Sequence, residues 1–532
     1  MSVAASPVET KTAVSIDKTD MDLFRRASHD ASPIHVSDLY ARRTAFGQPV
    51  VYGVLGFLLA ASRLPLQREC VSDLILEFPS PLFLGIDYTS SWECQAGGKT
   101  RLRVDDGNRP ALRSRLSFGA NGLASATAPY DNSATASART KAAAWSDEEL
   151  RALPALSGSY SCESVAFAAL EERLGLRGRG FAPWITTCLL WTSQFVGMEL
   201  PGTRALFSKL HIRFTGSDSA AHPKLNYRVV STEYDERFGK LSLQAEIRTE
   251  GGAVATAEIV CFVREESTCL WEDTLDQGTS FAGKTVFVVG ASRGFGSMIV
   301  RAFGLQGASV LFSYLKSREQ ADQLLEGAGA AVEAFCGDAS DPQWCLEAAE
   351  RIRARYGKLD YLILNACPAL NPLSITVAAA TRITDYVSKS IATTLYPFAA
   401  FAPLLSESEG VAVLISSTVV QSPVAEWPQY GMAKCALEHL VATASVQYRK
   451  IRFHVARPGR LRTDFSNTPM GRSEATSPAV EAKRLLDALR DRESLKGIAV
   501  STDRDIDALR TKLAEFSSDM GLPNPAVPIM AP

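Results

Sequence analysis

Residues 281–296, FAGKTVFVVGASRGFG, decide the reading of the C-terminal half. The Val-rich run has the pattern of a buried parallel strand, and SMIVRAFGLQGA after it has the pattern of a helix. Glycines at 290, 294 and 296 fill the turn between them. Such a turn lets backbone approach a pyrophosphate, which the amides at the helix N-terminus attract. A glycine pattern alone marks many tight turns, but here a further strand, 308–313, follows in order. The series predicts a doubly wound parallel α/β sheet, with Gly290, Ser292, Arg293, Gly294, Phe295 and Gly296 forming an anion cradle.

Downstream, Tyr430 and Lys434 stand in the run YGMAK, with Ser417 thirteen positions before the tyrosine. Residues four apart on a helix share a face, so the lysine cation lies beside the phenol. A nearby cation favours the phenolate, which brings proton exchange by a group of ordinary pKa about 10 toward neutral pH. A serine hydroxyl from the preceding strand can hold a carbonyl against that phenol. Taken alone, Tyr-x-x-x-Lys is an ordinary helix face. Joined to the glycine loop, it resembles the short-chain dehydrogenase/reductase family, and within it the beta-ketoacyl reductases, from about Phe281 to the last helix.

The resemblance implies a Rossmann domain in which Ser417, Tyr430 and Lys434 are catalytic and Lys434 also binds the nicotinamide ribose. It places Asp338 of CGDASD at the adenine, and Asn365 and Ala366 of LILNAC after the fourth strand. Cys367 replaces the family's glycine there and is expected to fill space; Arg457-Pro458-Gly459 covers the nicotinamide. The family's helix asparagine, which supports a proton-relay water, aligns with Ser390, a shorter side chain that can still hold a water. Assembly as a homodimer or tetramer through this domain is also implied.

Charge selects the cofactor. An NAD site carries an acid at the end of the second strand, whereas this chain reads VLFSYLKSR, with none near Ser313 or Tyr314. Arg293, Lys316 and Arg318 can instead meet a 2′-phosphate, so NADPH is expected. The same three cations also fit a solvated basic rim.

The N-terminal half carries a separate constellation. Residues 30–53 read DASPIHVSDLYARRTAFGQPVVYG, in which Asp30 and His35 can converge as an acid/base pair. In isolation they would be a helix cap and a surface histidine. The whole stretch resembles the MaoC-like, (R)-specific enoyl-CoA hydratases, whose pattern is Asp-x-Asn-Pro-Leu-His, Ala, Phe, then Pro-Ile-x-His-Gly. Here those positions are Asp30, Ser32, Pro33, Ile34, His35, Ala41, Phe46, Pro49, Val50, Tyr52 and Gly53. Ser32 for Asn and Tyr52 for His depart from the pattern.

That family implies a hotdog, a central helix wrapped by an antiparallel sheet. Residues 52–62 have the length and apolarity of the helix, and the Gly53 amide would point at a thioester oxygen. A second unit of similar size follows residue 155, with three alternating strands in 224–263 and no comparable acid/base pair. The expected organisation is a tail over 1–20, a catalytic repeat over 21–119, a linker over 120–154 and a structural repeat over 155–270. A linker over 271–280, the Rossmann domain over 281–525 and a tail over 526–532 follow. Fused double hotdogs usually keep their active residues in the C-terminal repeat, so the arrangement here is reversed.

At 532 residues the chain is too long for one core, and a net charge of −2 argues against nucleic acid as a main partner. No apolar stretch is long enough to span a membrane, and the opening residues lack a signal peptide's pattern. Ten cysteines without a C-x-x-C pair or histidines at ligand spacing read as reduced thiols of a cytoplasmic protein that holds no metal. Arg42 and Arg43 fit either a carrier's phosphate or plain surface. A 3-oxoacyl thioester, on CoA or an acyl carrier protein, is the expected substrate. It would be reduced with NADPH to the (3R)-hydroxyacyl thioester, then dehydrated to the trans-2-enoyl thioester, as in fatty-acid or polyketide biosynthesis. A ketoreductase alone, with the double hotdog as a carrier-binding or dimerisation module, remains open, as does the reverse, oxidative direction.

Overall fold

The computed structural model describes residues 10–95, 98–107, 109–119, 141–220, 223–252, 254–265, 275–327, 331–467, 471, 475–490 and 498–502. The chain divides into two compact units that meet in sequence at Glu266 and Ser267.

Among the described residues the first unit holds ten strands: β1 Thr10–Val14, β2 Cys70–Glu77, β3 Tyr88–Gln95, β4 Lys99–Asp105, β5 Pro110–Gly119, β6 Ser157–Tyr160, β7 Ala205–Phe214, β8 Leu225–Asp235, β9 Lys240–Thr249 and β10 Val254–Val263. They form one antiparallel sheet in the order β1-β3-β4-β5-β2-β7-β10-β9-β8-β6. Two similar halves, β2–β5 and β7–β10, join where β2 pairs with β7, Leu76 opposite Leu210. Each half has its own helix, Gly53–Ala61 or Pro183–Gln194. Both helices are apolar on nearly every face, as expected of helices enclosed by a sheet. Trp184, Trp191, Phe57 and Leu58 are buried there. Along β4, Thr100, Leu102 and Val104 turn inward while Lys99, Arg101 and Arg103 face water.

The second unit is a seven-stranded parallel sheet: β11 Thr285–Val289, β12 Ser309–Tyr314, β13 Val332–Cys336, β14 Tyr361–Leu364, β15 Val411–Ile415, β16 Arg452–Arg457 and β17 Ile498–Thr502, in the order β13-β12-β11-β14-β15-β16-β17. β11, β14 and β15 are buried throughout, which fits strands covered on both faces. One face packs against the helices Gly294–Leu305, Arg318–Gly327 and Pro478–Arg490. The other packs against Pro342–Tyr356, Val377–Glu407 and Pro428–Gln447. Strand order reverses between β11 and β14, and such a switch point opens a crevice at the carboxyl ends of the strands.

Two of the expected connecting segments contain regular structure. Thr10–Val14, within the expected tail, pairs with β3, Thr10 opposite Trp92, and buries Val14. Within the expected linker, Asp147–Arg151 is a short helix, opened by a Ser146/Glu149 capping box that satisfies two amides reciprocally. The remainder of that linker at 120–140, part of the second at 271–274, and the chain from 503 on lie outside the described residues. Among the described residues no helix is long and apolar enough to cross a membrane, and no cluster could hold a metal ion.

One buried histidine ties the second unit's stability to pH. His454 on β16 is 2% exposed; Nε2 meets Ser501 Oγ at 2.9 Å, and Nδ1 has no partner. Burial pulls its imidazole down to about 4. The unfolded chain takes up this proton near 6.5 and the folded one not until about 4, so acidification across that window favours unfolding. The expected loss is at most about 3 kcal/mol. Calorimetric melts of wild type and His454→Gln should converge as pH falls from neutral toward 4; parallel curves would exclude this group as the cause.

Candidate active sites

In the second unit the chain leaves β11 at Gly290, whose φ of 76° is left-handed and whose Cβ would lie 2.8 Å from Ala366 Cα. No residue with a side chain fits there. The Gly290 amide donates to Ser313 Oγ at 2.9 Å, and its carbonyl accepts from Asn365 Nδ2 at 2.5 Å. Residues following β11 and β14, and one on β12, are thus tied across the switch point. The helix Gly294–Leu305 starts from N-cap Arg293 without a side-chain cap, which leaves its leading amides to an anion. Ser292 and Phe295 pack beneath the loop and are buried.

Arg293 lies 3.5 Å from the Asp464 carboxylate, and Arg318 lies 3.7 Å from Asp322. Lys316 and Arg318 are exposed beyond the end of β12. Asp338 accepts from the Ser340 amide at 2.8 Å and the Ser340 hydroxyl at 2.6 Å. Burial opposes its charge, but those bonds and the cations of Lys389 and Lys316 hold the carboxyl below its usual range. The Pro458 carbonyl accepts from the Thr418 amide at 3.2 Å, which sets the 458–459 turn beside Ser417.

Ser417 follows β15, while Tyr430 and Lys434 lie on the helix Pro428–Gln447, opened by a proline whose missing amide costs nothing there. Lys434 Nζ stands 5.5 Å from the Tyr430 ring centroid and donates to the Ile415 carbonyl at 2.6 Å. The expected lowering of the phenol by Lys434 is not what the site shows. Burial pushes the Tyr430 phenol up, the Cys367 thiol adds to this, and the Ser417 hydroxyl pulls it part of the way back. Burial likewise draws the Lys434 ammonium down.

Ser390 lies on the helix Val377–Glu407 and is buried. Its hydroxyl donates to the Tyr386 carbonyl at 2.8 Å, the i−4 bond a helical serine commonly makes. Cys367, expected to fill space, is exposed, with Sγ 3.1 Å from the Tyr386 hydroxyl. Trp427 and Phe465 complete a triangle of rings with Tyr430, the centroids 5.5 to 6.3 Å apart. Tyr386, Trp427 and Phe465 carry no motif, and nothing in the sequence brought them to this site.

In the first unit, the helix Lys18–Ser28 ends at His29, whose φ of 58° turns the chain inward. Asp30 is consequently 1% exposed, and it caps no helix. Its Oδ1 accepts from the Ser32 amide at 3.1 Å and its Oδ2 from Ser193 Oγ at 2.7 Å. Tyr52 donates to the Asp30 backbone carbonyl at 2.7 Å, and its ring lies 4.1 Å from the His35 ring. The Tyr52 departure is therefore built into the support of Asp30, whereas Ser32 contributes only its backbone amide. Ser193 lies in the second repeat, as does Gly197, where a Cβ would sit 2.6 Å from Asp30 Oδ1. The second repeat, expected to be purely structural, thus helps to form the site; partners 163 residues apart leave no local signal.

His35 is half-buried, and Nδ1 lies 2.8 Å from the Val50 carbonyl. A carbonyl only accepts, so Nδ1 carries the hydrogen and the neutral ring keeps its lone pair on Nε2. Burial lowers the imidazole pKa, Asp30 and the Val50 carbonyl raise it, and Arg264 lowers it again. Burial raises the Asp30 carboxyl, against the pull of His35, Ser193 and Ser32. The two groups are thereby brought closer in proton affinity, as acid/base partners require. Gly53 opens its helix behind Tyr52, which supplies no side-chain cap. Arg42 and Arg43 are partly buried and already engaged within the protein.

Comparison with known proteins agrees with both halves. The family model for short chain dehydrogenases matches residues 284–471, and that for the MaoC like domain matches residues 2–72. The cyclic-di-GMP-binding biofilm dispersal mediator protein of Escherichia coli is 30% identical over 199 residues, 36% of this chain and 79% of that protein. The short-chain dehydrogenase/reductase SDRA of Arabidopsis thaliana is 30% identical over 213 residues, 39% of this chain and 82% of that protein. A solved structure of BdcA in complex with NADPH is 26% identical, covers 42% of this chain and 94% of its own, and has a TM-score of 0.37. Through its C-terminal unit the chain belongs to the short-chain dehydrogenase/reductase family, and it carries a MaoC-like domain at its N-terminus.

Proposed function

We propose that the chain is a bifunctional enzyme of fatty-acid or polyketide-type biosynthesis. Its C-terminal unit reduces a 3-oxoacyl thioester with NADPH. Its N-terminal unit, whose two helix-in-sheet halves we read as a double hotdog, dehydrates the (3R)-hydroxyacyl product to the trans-2-enoyl thioester. The observation that carries this reading is the Asp30/His35 pair, held by Ser193 and Val50, in one chain with Ser417, Tyr430 and Lys434. The product of the second group is the substrate of the first.

The residues fit an anionic dinucleotide: a glycine turn without room for a Cβ, an uncapped helix N-terminus, and no acid at the end of β12. Gly290 to Gly296 would hold the pyrophosphate, Asp338 the adenine side, and Asn365, Ala366, Lys434, Pro458 and Gly459 the nicotinamide half. Arg293, Lys316, Arg318 and the Ser313 hydroxyl would meet the 2′-phosphate. NADPH supplies the hydride when bound. Tyr430, kept protonated by burial, gives its proton to the carbonyl oxygen while Ser417 holds that oxygen. In the first unit His35 Nε2 and Asp30 share removal of the α-proton and protonation of the departing hydroxyl. The Gly53 amide, at a positive helix end, stabilises the enolate-like oxygen.

A reductase alone is the second reading, favoured by the near-complete burial of Asp30. Incubating the full chain with a 3-oxoacyl thioester and NADPH, and identifying products by mass, separates the two. Enoyl thioester is expected; a stop at the hydroxyacyl stage would leave the reductase alone. NADPH should be preferred over NADH, and Arg293→Ala should narrow that preference. Loss of one charge-assisted contact costs about 1.5–3 kcal/mol, or roughly 10- to 100-fold in cofactor affinity. Equal use of NADH by wild type would overturn the cofactor assignment.

A further inference from the structure

Arg264 follows β10 in the first unit and is 4% exposed. Its Nη2 donates to the Tyr40 hydroxyl at 2.8 Å and the Thr203 carbonyl at 2.5 Å, and its guanidinium lies 5.4 Å from the Tyr40 ring centroid. Its Nε is buried without a partner. Among the described residues no carboxylate lies within ion-pair distance of it. Arg204, another buried arginine nearby, shows the contrast: its Nη2 has Asp147 at 2.7 Å.

Taking a cation out of water costs several kcal/mol, and two neutral oxygens and a ring recover only part of this. A buried guanidinium without a counter-charge is thus primed for an anion, which it can grip through paired N–H groups. Its position gives the anion a purpose. Tyr40 lies on the short helix Asp38–Ala41, just beyond His35, and the Arg264 charge reaches the His35 imidazole.

We propose that Arg264 is an oxyanion-binding site of the N-terminal unit, taking a phosphate or carboxylate carried by the thioester substrate beside His35. The proposal rests on the dehydratase reading for its substrate class. Two sources present this chemistry: the phosphates of the pantetheine arm, and a second carboxylate on the acyl chain.

Binding separates them without turnover. Calorimetry on the full chain would use three unreactive thioethers: crotyl-CoA, crotyl-N-acetylcysteamine, and the latter with a terminal carboxylate. In Arg264→Met, the Kd of an anion-bearing ligand should rise by ~10-fold or more, the usual scale for losing a charge-assisted contact. The neutral N-acetylcysteamine ligand should be unaffected, and Arg264→Lys should fall between. A rise for the CoA ligand alone identifies phosphate, and one for the carboxylated ligand alone identifies a carboxylate. Equal change for all three, or for none, would overturn the site. Arg264→Gln, which still donates to Thr203, serves should the Met variant not fold. A wild type that binds these ligands but never dehydrates would remove the catalytic reading and leave the anion site standing.

Discussion

Tyr430→Phe should remove reduction of a 3-oxoacyl thioester by a factor of ~100 to 10,000, the range for losing a positioned general acid. Dehydration of a supplied (3R)-hydroxyacyl thioester should be unchanged. The substitution deletes one hydroxyl and keeps the ring, so the packing of Trp427 and Phe465 around it survives. The proton itself is lost, along with the bond to Ser417. Because burial holds this phenol protonated, wild-type reduction should lose its proton donor only above pH ~10, the ordinary tyrosine value. NADPH consumption reads the first activity and enoyl absorbance the second. If both fall together in a folded variant, the two chemistries share one site and the two-site scheme is wrong.

The parallel sheet was legible because its signals are local. Val286 to Val289 is a continuous apolar run, and Gly290 closes it where φ must be positive. Tyr430 and Lys434 could be placed because four-residue spacing on one helix fixes their geometry, and Ser417 follows the strand before that helix. What escaped were side chains delivered by distant segments. Tyr386 and Phe465 reach Tyr430 from another helix and another loop, and neither residue type announces such a role. The same holds in the first unit. Asp30 and His35 stood out through five-residue spacing, whereas Ser193, Gly197 and Arg264 belong to a half of the sequence without an acid/base motif. Electrostatic sign escaped too. Spacing put Lys434 beside Tyr430, but burial sets the direction of the phenol's shift, and burial follows from the assembled fold.

Asp30→Asn should reduce dehydration by ~100-fold or more, within the range for general acid–base catalysis, and leave reduction untouched. Supplied with a 3-oxoacyl thioester and NADPH, the variant should accumulate the (3R)-hydroxyacyl thioester. The substitution suits this test because its cost to folding is small. An asparagine oxygen can still accept from the Ser32 amide, while its NH2 donates to a Ser193 hydroxyl turned to accept. Volume is preserved, so Gly197 and Tyr52 keep their contacts. The titrating group and its charge are lost. Asp30 raises the proton affinity of His35, so its removal also leaves the imidazole more readily neutral. The His35 resonance should therefore titrate at lower pH in the variant, which reads the charge coupling between the two groups. Loss of dehydration with an unmoved His35 titration would mean that the carboxylate acts on the substrate alone. Unchanged dehydration in a folded variant would instead remove Asp30 from the chemistry and return the first unit to a binding role.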